Sequence, residues 1–254
     1  MTHSFLHYLP ILTTEMAGAF CIALIRAWRK RRTGPHLLWW AFGAFSYGLG
    51  TLLESSITLA GNSVLLTKTW YIAGALLGGY PLAQGVAFLH LERRLAVRLA
   101  WITSAYVGLA AILVALSPVD LTQLSPALPS GRLLAWHWVR LLTPPINLYS
   151  FVFLVGGALV SAMRFRRDPN GGSRFTGNLL IAVGGLLPGI GGAAAKAGSV
   201  EALYVLELVG LVFIWIGYGV IVRSASRHRL KTGQALAGAA STSAEAAPDP
   251  VMRG

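Results

Sequence analysis

Seven long apolar runs, near residues 5–25, 37–59, 69–91, 99–117, 136–163, 176–195 and 202–222, constrain this chain more than any other feature. A helix needs about 20 residues to cross a hydrocarbon core of about 30 Å, and each run reaches that scale, the fourth at the short end. Only 12% of the residues are charged and 55% are apolar. A soluble domain carries roughly a quarter charged residues, so most of these side chains are expected to meet lipid. The expected fold class is all-α, a polytopic integral membrane bundle of seven transmembrane helices. The fifth run exceeds what a span needs, so it is expected to tilt or to begin as an interfacial turn.

The first run is followed, not preceded, by its basic cluster (Arg26, Arg29, Lys30, Arg31 and Arg32) and has no small-residue cleavage site. A signal peptide has the opposite arrangement, so the run reads as a retained helix. Basic loops also follow the third run ("ERRLAVR"), the fifth ("RFRRDPNGGSR") and the seventh ("RSASRHRLK"). Together with Arg253 these alternate loops hold 17 of the 21 Lys and Arg residues. Such residues concentrate on the cytoplasmic side. With seven spans all four loops fall on that side, which sets the N-terminus outside, the C-terminus in the cytoplasm, and the chain as multi-pass in a cell (inner) membrane.

Residues 1–230 therefore read as one transmembrane domain and 231–254 as a cytoplasmic tail. The tail is rich in Ala, Gly, Ser and Pro, cannot bury enough surface to offset its ordering entropy, and is expected to be disordered.

The net charge of +12 does not point to nucleic acid. It sits in short clusters between apolar runs, and no nucleic-acid-binding motif accompanies it. Cys21 stands alone inside the first run and can form no intrachain disulfide. There is no H-E-x-x-H, G-x-S-x-G or phosphate-binding loop, and no metal or cofactor is expected. His36 and His90 are the histidines whose heights match, both at the cytoplasmic edge, where headgroup contact is the commoner role. Retinal is excluded because the seventh run contains no lysine for a Schiff base; Lys196 precedes it.

Glycines give packing signals. Gly185 and Gly189, continued by Gly192 and Ala193, form a small-xxx-small face in the sixth run, and Pro188 is expected to kink it. Gly74, Gly78, Pro81 and Gly85 make a similar stripe in the third. Small residues let helix backbones approach closely in lipid. Trp39, Trp40, Trp70, Tyr71, Trp101, Trp136, Trp138 and Tyr204 fall near run ends, as an aromatic belt at headgroup depth would.

Ionisable groups inside spans are costly and usually face a bundle interior or a wet cavity. At about 1.5 Å per residue, Glu54 lies roughly 27 Å above the cytoplasmic end of its helix, with Glu207 and Asn147 at similar heights and Glu15 nearer mid-membrane. Tyr47, Thr51, Glu54, Ser55 and Thr58 form a polar stripe; Tyr204 and Glu207 share a helix face, as do Arg140, Pro144 and Asn147. Lys68 and Arg140 are the cations expected to neutralise Glu54. Glu54, Lys68, Arg140, Asn147, Tyr204, Glu207 and Glu15 are thus the candidate ligand-binding residues. The layer reads either as glue between helices or as an outer-half polar pocket for a small ligand or lipid headgroup.

Trp40, Phe45, Tyr47, Gly50 and Glu54, followed by Trp70, Tyr71, Gly74 and Ala75 in a W-Y-x-x-G-A pattern, resemble bacterial seven-helix integral membrane proteins. The resemblance implies the fold and brings no activity with it. A weaker likeness is to seven-helix sensory modules that precede signalling domains, although no such domain follows the seventh run here. Three functions stay open: a ligand- or lipid-binding sensor or accessory subunit, a membrane enzyme or transporter for a lipid or small amphiphile, and a structural subunit. Membrane lipids are the expected partners, with a membrane or cytoplasmic protein as a further one.

Overall fold

A computed structural model describes residues 5–32, 34–125, 128–168 and 171–245, with side chains to 226 apart from residue 31. A short 3-10 turn, Phe5–Tyr8, leads into α1 (Leu9–Arg31), which ends on Arg32 in the left-handed conformation at φ 49. α2 (His36–Ala60) returns across the bundle. The third run is interrupted: α3 (Val64–Trp70) passes into a π-helical turn, Tyr71–Leu76, and resumes as α4 (Tyr80–His90) with Pro81 in its first turn. α5 (Arg93–Leu116) follows, starting six residues before the apolar run.

The α5–α6 connection contains three 3-10 turns, the last being His137–Leu142, where the fifth run opens. That run continues as α6 (Thr143–Ser150), a π-helical turn Phe151–Gly156 and α7 (Gly157–Arg166). α8 (Gly172–Lys196) accommodates Pro188 without ending, and α9 (Val200–Glu245) extends well past the seventh run. It carries helix into the stretch expected to be a tail; residues 246–254 lie outside the described residues. Among the described residues there is no strand, only an isolated bridge between Val119 and Leu134.

Six stretches are long and apolar enough to cross a membrane: Phe5–Lys30, Val64–His90, Arg93–Leu116, His137–Arg166, Gly172–Lys196 and Val200–Ser226. α2 is long enough but too polar to join them, since Ser46, Thr51, Glu54 and Ser55 interrupt its apolar surface. It can carry those groups because they lie on the face packed against α1, α3 and α4, where all four are buried, while Leu38, Phe42, Phe45, Leu52 and Leu59 are exposed on the other side. Thr51 Oγ1 meets Thr14 Oγ1 of α1 at 2.9 Å, and Trp40 Nε1 donates to the Leu82 carbonyl of α4 at 3.1 Å. Phe20 of α1 stacks on Trp215 of α9 with ring centroids 5.5 Å apart, closing the core between these helices.

The α8–α9 pair is held by glycines at a seven-residue interval. A Cβ on Gly184 would lie 2.6 Å from the Gly210 carbonyl oxygen, and one on Gly177 would lie 2.8 Å from that of Gly217. A Cβ on Gly191 would lie 3.0 Å from Leu203 Cα, a slightly looser approach on the same side. The expected Gly185–Gly189 face is therefore corrected: Gly185 packs on Leu154, and a Cβ on Gly189 would meet nothing within 4 Å. Small residues occur on several sides of α8, and the side that touches α9 is one step round from the one that spacing suggested.

Candidate functional site

Two carboxyl groups define the polar layer. Glu54, on the last turns of α2, is only 3% exposed. Its Oε1 accepts a hydrogen bond from Trp70 Nε1 at 2.8 Å. Glu207 approaches from α9 and brings its carboxyl beside that of Glu54. Neither Glu54 Oε2 nor Glu207 Oε2 receives an N–H or O–H donor from the described chain, and both are buried. Two ionised carboxylates this close in a site of low polarity repel strongly.

Tyrosines frame the pair. Tyr47 of α2 donates its hydroxyl to the Glu207 carbonyl at 3.0 Å, tying α2 to α9 independently of the carboxyls. Tyr204, one helical turn before Glu207, is buried, and its ring meets His7 edge-on with centroids 6.1 Å apart. Glu54, Tyr204 and Glu207 are thus brought together. Trp70 was placed by sequence in an aromatic belt and is instead the donor to Glu54. The signal was its position, sixteen residues after Glu54 across a tight turn.

The other candidates stand apart from this cluster. The Lys68 ammonium donates to the Ala115 carbonyl at 2.8 Å and to the Ser117 carbonyl at 2.7 Å, so it caps the end of α5 and not Glu54. That position is favourable because the last carbonyls of a helix are unsatisfied and carry partial negative charge. Arg140, Pro144 and Asn147 do share a face, but it is exposed. Glu15 is exposed on α1. A polar pocket built from all seven residues is therefore not what the chain forms.

The cavity lies elsewhere, between α4, α5 and α6. It has a volume of about 200 Å³ and is walled by Tyr80, Thr103, Tyr106, Ile146 and Tyr149, with Ile102 at its rim. Ile102 is 66% exposed, so the cavity opens sideways onto the outer face of the bundle. All three tyrosine hydroxyls are engaged. Tyr80 shares hydrogen bonds with Ser104 at 2.8 Å and Thr103 at 2.9 Å. Tyr106 donates to the Leu142 carbonyl at 3.1 Å, and Tyr149 donates to Gln84 Oε1 at 2.6 Å. The cavity thus presents ring faces and aliphatic groups, with its hydroxyls already satisfied. Such a surface accepts an apolar body and offers little to a charged one.

His90 engages Val86 and Ser161 through its two ring nitrogens, at 3.1 and 2.8 Å. Among the described residues no group of three His, Cys, Asp or Glu side chains comes together as a metal site. No family model matches the chain, and neither does any curated protein or solved structure.

Proposed function

We propose that this chain is a multi-pass protein of a cell membrane that binds a lipid chain or a small apolar ligand and acts as a sensor or accessory subunit. In this reading α2 is the seventh span, with its polar groups turned to its neighbours and Leu38, Phe42, Phe45, Leu52 and Leu59 turned to lipid. The alternate basic loops favour an orientation with the N-terminus outside and the C-terminus in the cytoplasm. The observation that carries the binding role is the cavity beside Ile102: apolar-walled, laterally open, and in contact with the face that lipid would cover. An apolar cavity of about 150 Å³ is large enough to hold a benzene-sized ligand, so this one suits a small apolar molecule or part of an acyl chain. The Glu54–Glu207 pair is read as a tie between α2 and α9, because it faces neighbouring side chains and not the cavity.

The test is photolabelling of the full chain in vesicles with a phospholipid bearing a diazirine along its acyl chain. Adducts concentrated on Ile102, Tyr106 and Pro145, and reduced in Ile102→Trp, are the expected result. Labelling spread evenly over the exposed apolar surface, with no change in Ile102→Trp, would sink the proposal.

A further inference from the structure

α1 carries two opposed stripes. Thr13, Ala17, Phe20 and Leu24 are buried against α2 and α9. On the far side Tyr8, Leu12, Glu15, Ala19 and Ile22 are all exposed, and they recur at alternating intervals of four and three residues. That interval is the seam along which one helix packs lengthwise on another. Among the described residues no helix covers the seam, although its inward counterpart is fully packed.

Glu15 stands in the middle of that seam. At about 1.5 Å per residue it lies about 16 Å from Arg26, half the depth of a hydrocarbon core of about 30 Å. It makes no hydrogen bond or ion pair within the described chain. A carboxyl group held against lipid at mid-depth is costly, and such groups are normally paired. Beside it, a Cβ on Gly18 would meet nothing within 4 Å. The missing side chain thus serves no contact within this fold, while Gly18 and Ala19 leave a flat place where another backbone can approach.

We infer that this face of α1 docks a transmembrane helix of another membrane protein, one bearing an arginine or lysine at the depth of Glu15. The inference rests on the membrane-spanning, accessory reading above and names the partner's chemistry. A second copy of this chain fits less well. Copies share one orientation in the membrane, so pairing along α1 would set Glu15 against Glu15. Arg140 stands one turn inside the start of the fifth run and the chain's other basic residues lie at or beyond the run ends, so no copy supplies a cation at the depth of Glu15. The complementary charge has to come from a different protein.

The experiment uses the full chain, labelled at its C-terminus, in phosphatidylcholine vesicles with labelled Leu/Ala transmembrane peptides carrying one central Arg, Lys or Leu. Energy transfer reports association, and flotation with the vesicles reports insertion, so failure to span is distinguished from failure to dock. The Arg and Lys peptides should associate about tenfold more strongly than the Leu peptide. Glu15→Gln should abolish that preference, and Glu15→Asp should keep it. Both variants should leave acyl-chain labelling at Ile102 unchanged, which separates docking from the cavity. Equal association of Arg and Leu peptides with an inserted chain, or a preference that survives Glu15→Gln, would overturn the inference. Self-association of the chain that depends on Glu15 would also overturn it, by assigning the face to a second copy.

Discussion

The indole of Trp70 donates to Glu54 Oε1 across 2.8 Å, and through it the start of the third run is fastened to the end of α2. The bond supplies the one N–H donor that either buried carboxyl receives through its side chain among the described residues. Trp70→Phe keeps the ring and removes the donor. It should destabilise the protein by about 1–2 kcal/mol, between the modest values measured for polar contacts inside membranes and the larger cost of stripping a partner from a buried acid. Thermal unfolding in detergent reads this directly. In a Glu54→Gln background the same substitution should cost less, because an amide needs the donor less than a carboxylate does. An equal loss in both backgrounds would assign the effect of Trp70 to packing alone.

Glu207→Gln tests the charge of the second carboxyl. The amide keeps the size of the group and removes its charge, so the variant should unfold within about 0.5 kcal/mol of the parent, as an isosteric replacement would. Glu207→Ala removes the group and leaves the Glu54 carboxyl without it, and should be clearly less stable. Similar losses in the two variants would show that the carboxyl pair is not held as described.

Lys68 offers a test confined to one end of the bundle. Lys68→Met keeps the aliphatic stem and deletes the ammonium that bonds the Ala115 and Ser117 carbonyls. Loss of a charged cap should cost about 1–2 kcal/mol, and hydrogen exchange should rise in the last turn of α5. The Glu54 region should be unaffected. Faster exchange around Glu54 instead would show that Lys68 acts there as its counter-charge.

The glycines of α8 make opposite predictions at positions only five residues apart, Gly184 and Gly189. Gly184→Ala drives a methyl into the Gly210 carbonyl and should cost about 1–3 kcal/mol by overpacking. Gly189→Ala enters open space and should stabilise the helix by up to about 1 kcal/mol, the usual gain of alanine over glycine in a helix interior. Unfolding of the two variants in the same detergent suffices; a Gly189→Ala loss as large as that of Gly184→Ala would contradict the α8–α9 interface.

These contrasts also mark what the residues alone could disclose. Apolar length announces spanning helices because lipid leaves little alternative for such runs, and height along a helix follows from a constant rise. Glu54 and Glu207 were therefore placed at one level from sequence. What height does not contain is rotation and neighbour order around the bundle. Lys68 stands at that level too, yet it turns to α5. Gly185 and Gly189 have the same spacing as a packing face, yet the contact runs through Gly177, Gly184 and Gly191. α2 reads like an ordinary span, and its polarity makes sense only once α1, α3 and α4 are seen to cover the face that carries Ser46, Thr51, Glu54 and Ser55. The cavity was invisible for a further reason: Tyr80, Tyr106 and Tyr149 come from three separate helices and carry no common motif.

Gln84 is the residue on which that cavity most depends. It is fully buried on α4, donates Nε2 to the Ala96 carbonyl of α5 at 3.0 Å, and accepts the Tyr149 hydroxyl of α6 at 2.6 Å. One amide thus joins the three helices that form the walls and holds Tyr149 in place as one of them. Gln84→Leu preserves volume but leaves the Tyr149 hydroxyl without its acceptor, at a cost of about 1–3 kcal/mol. Tyr149→Phe in the same chain removes the stranded hydroxyl and should recover part of the loss, since deleting both partners of a buried hydrogen bond costs less than deleting one. Acyl-chain labelling should follow the same order, weakened in Gln84→Leu as Tyr149 loses its fixed position and partly restored in the double variant. Labelling that ignores Gln84 while stability falls would separate the wall from the ligand, and would move the binding site away from Tyr149.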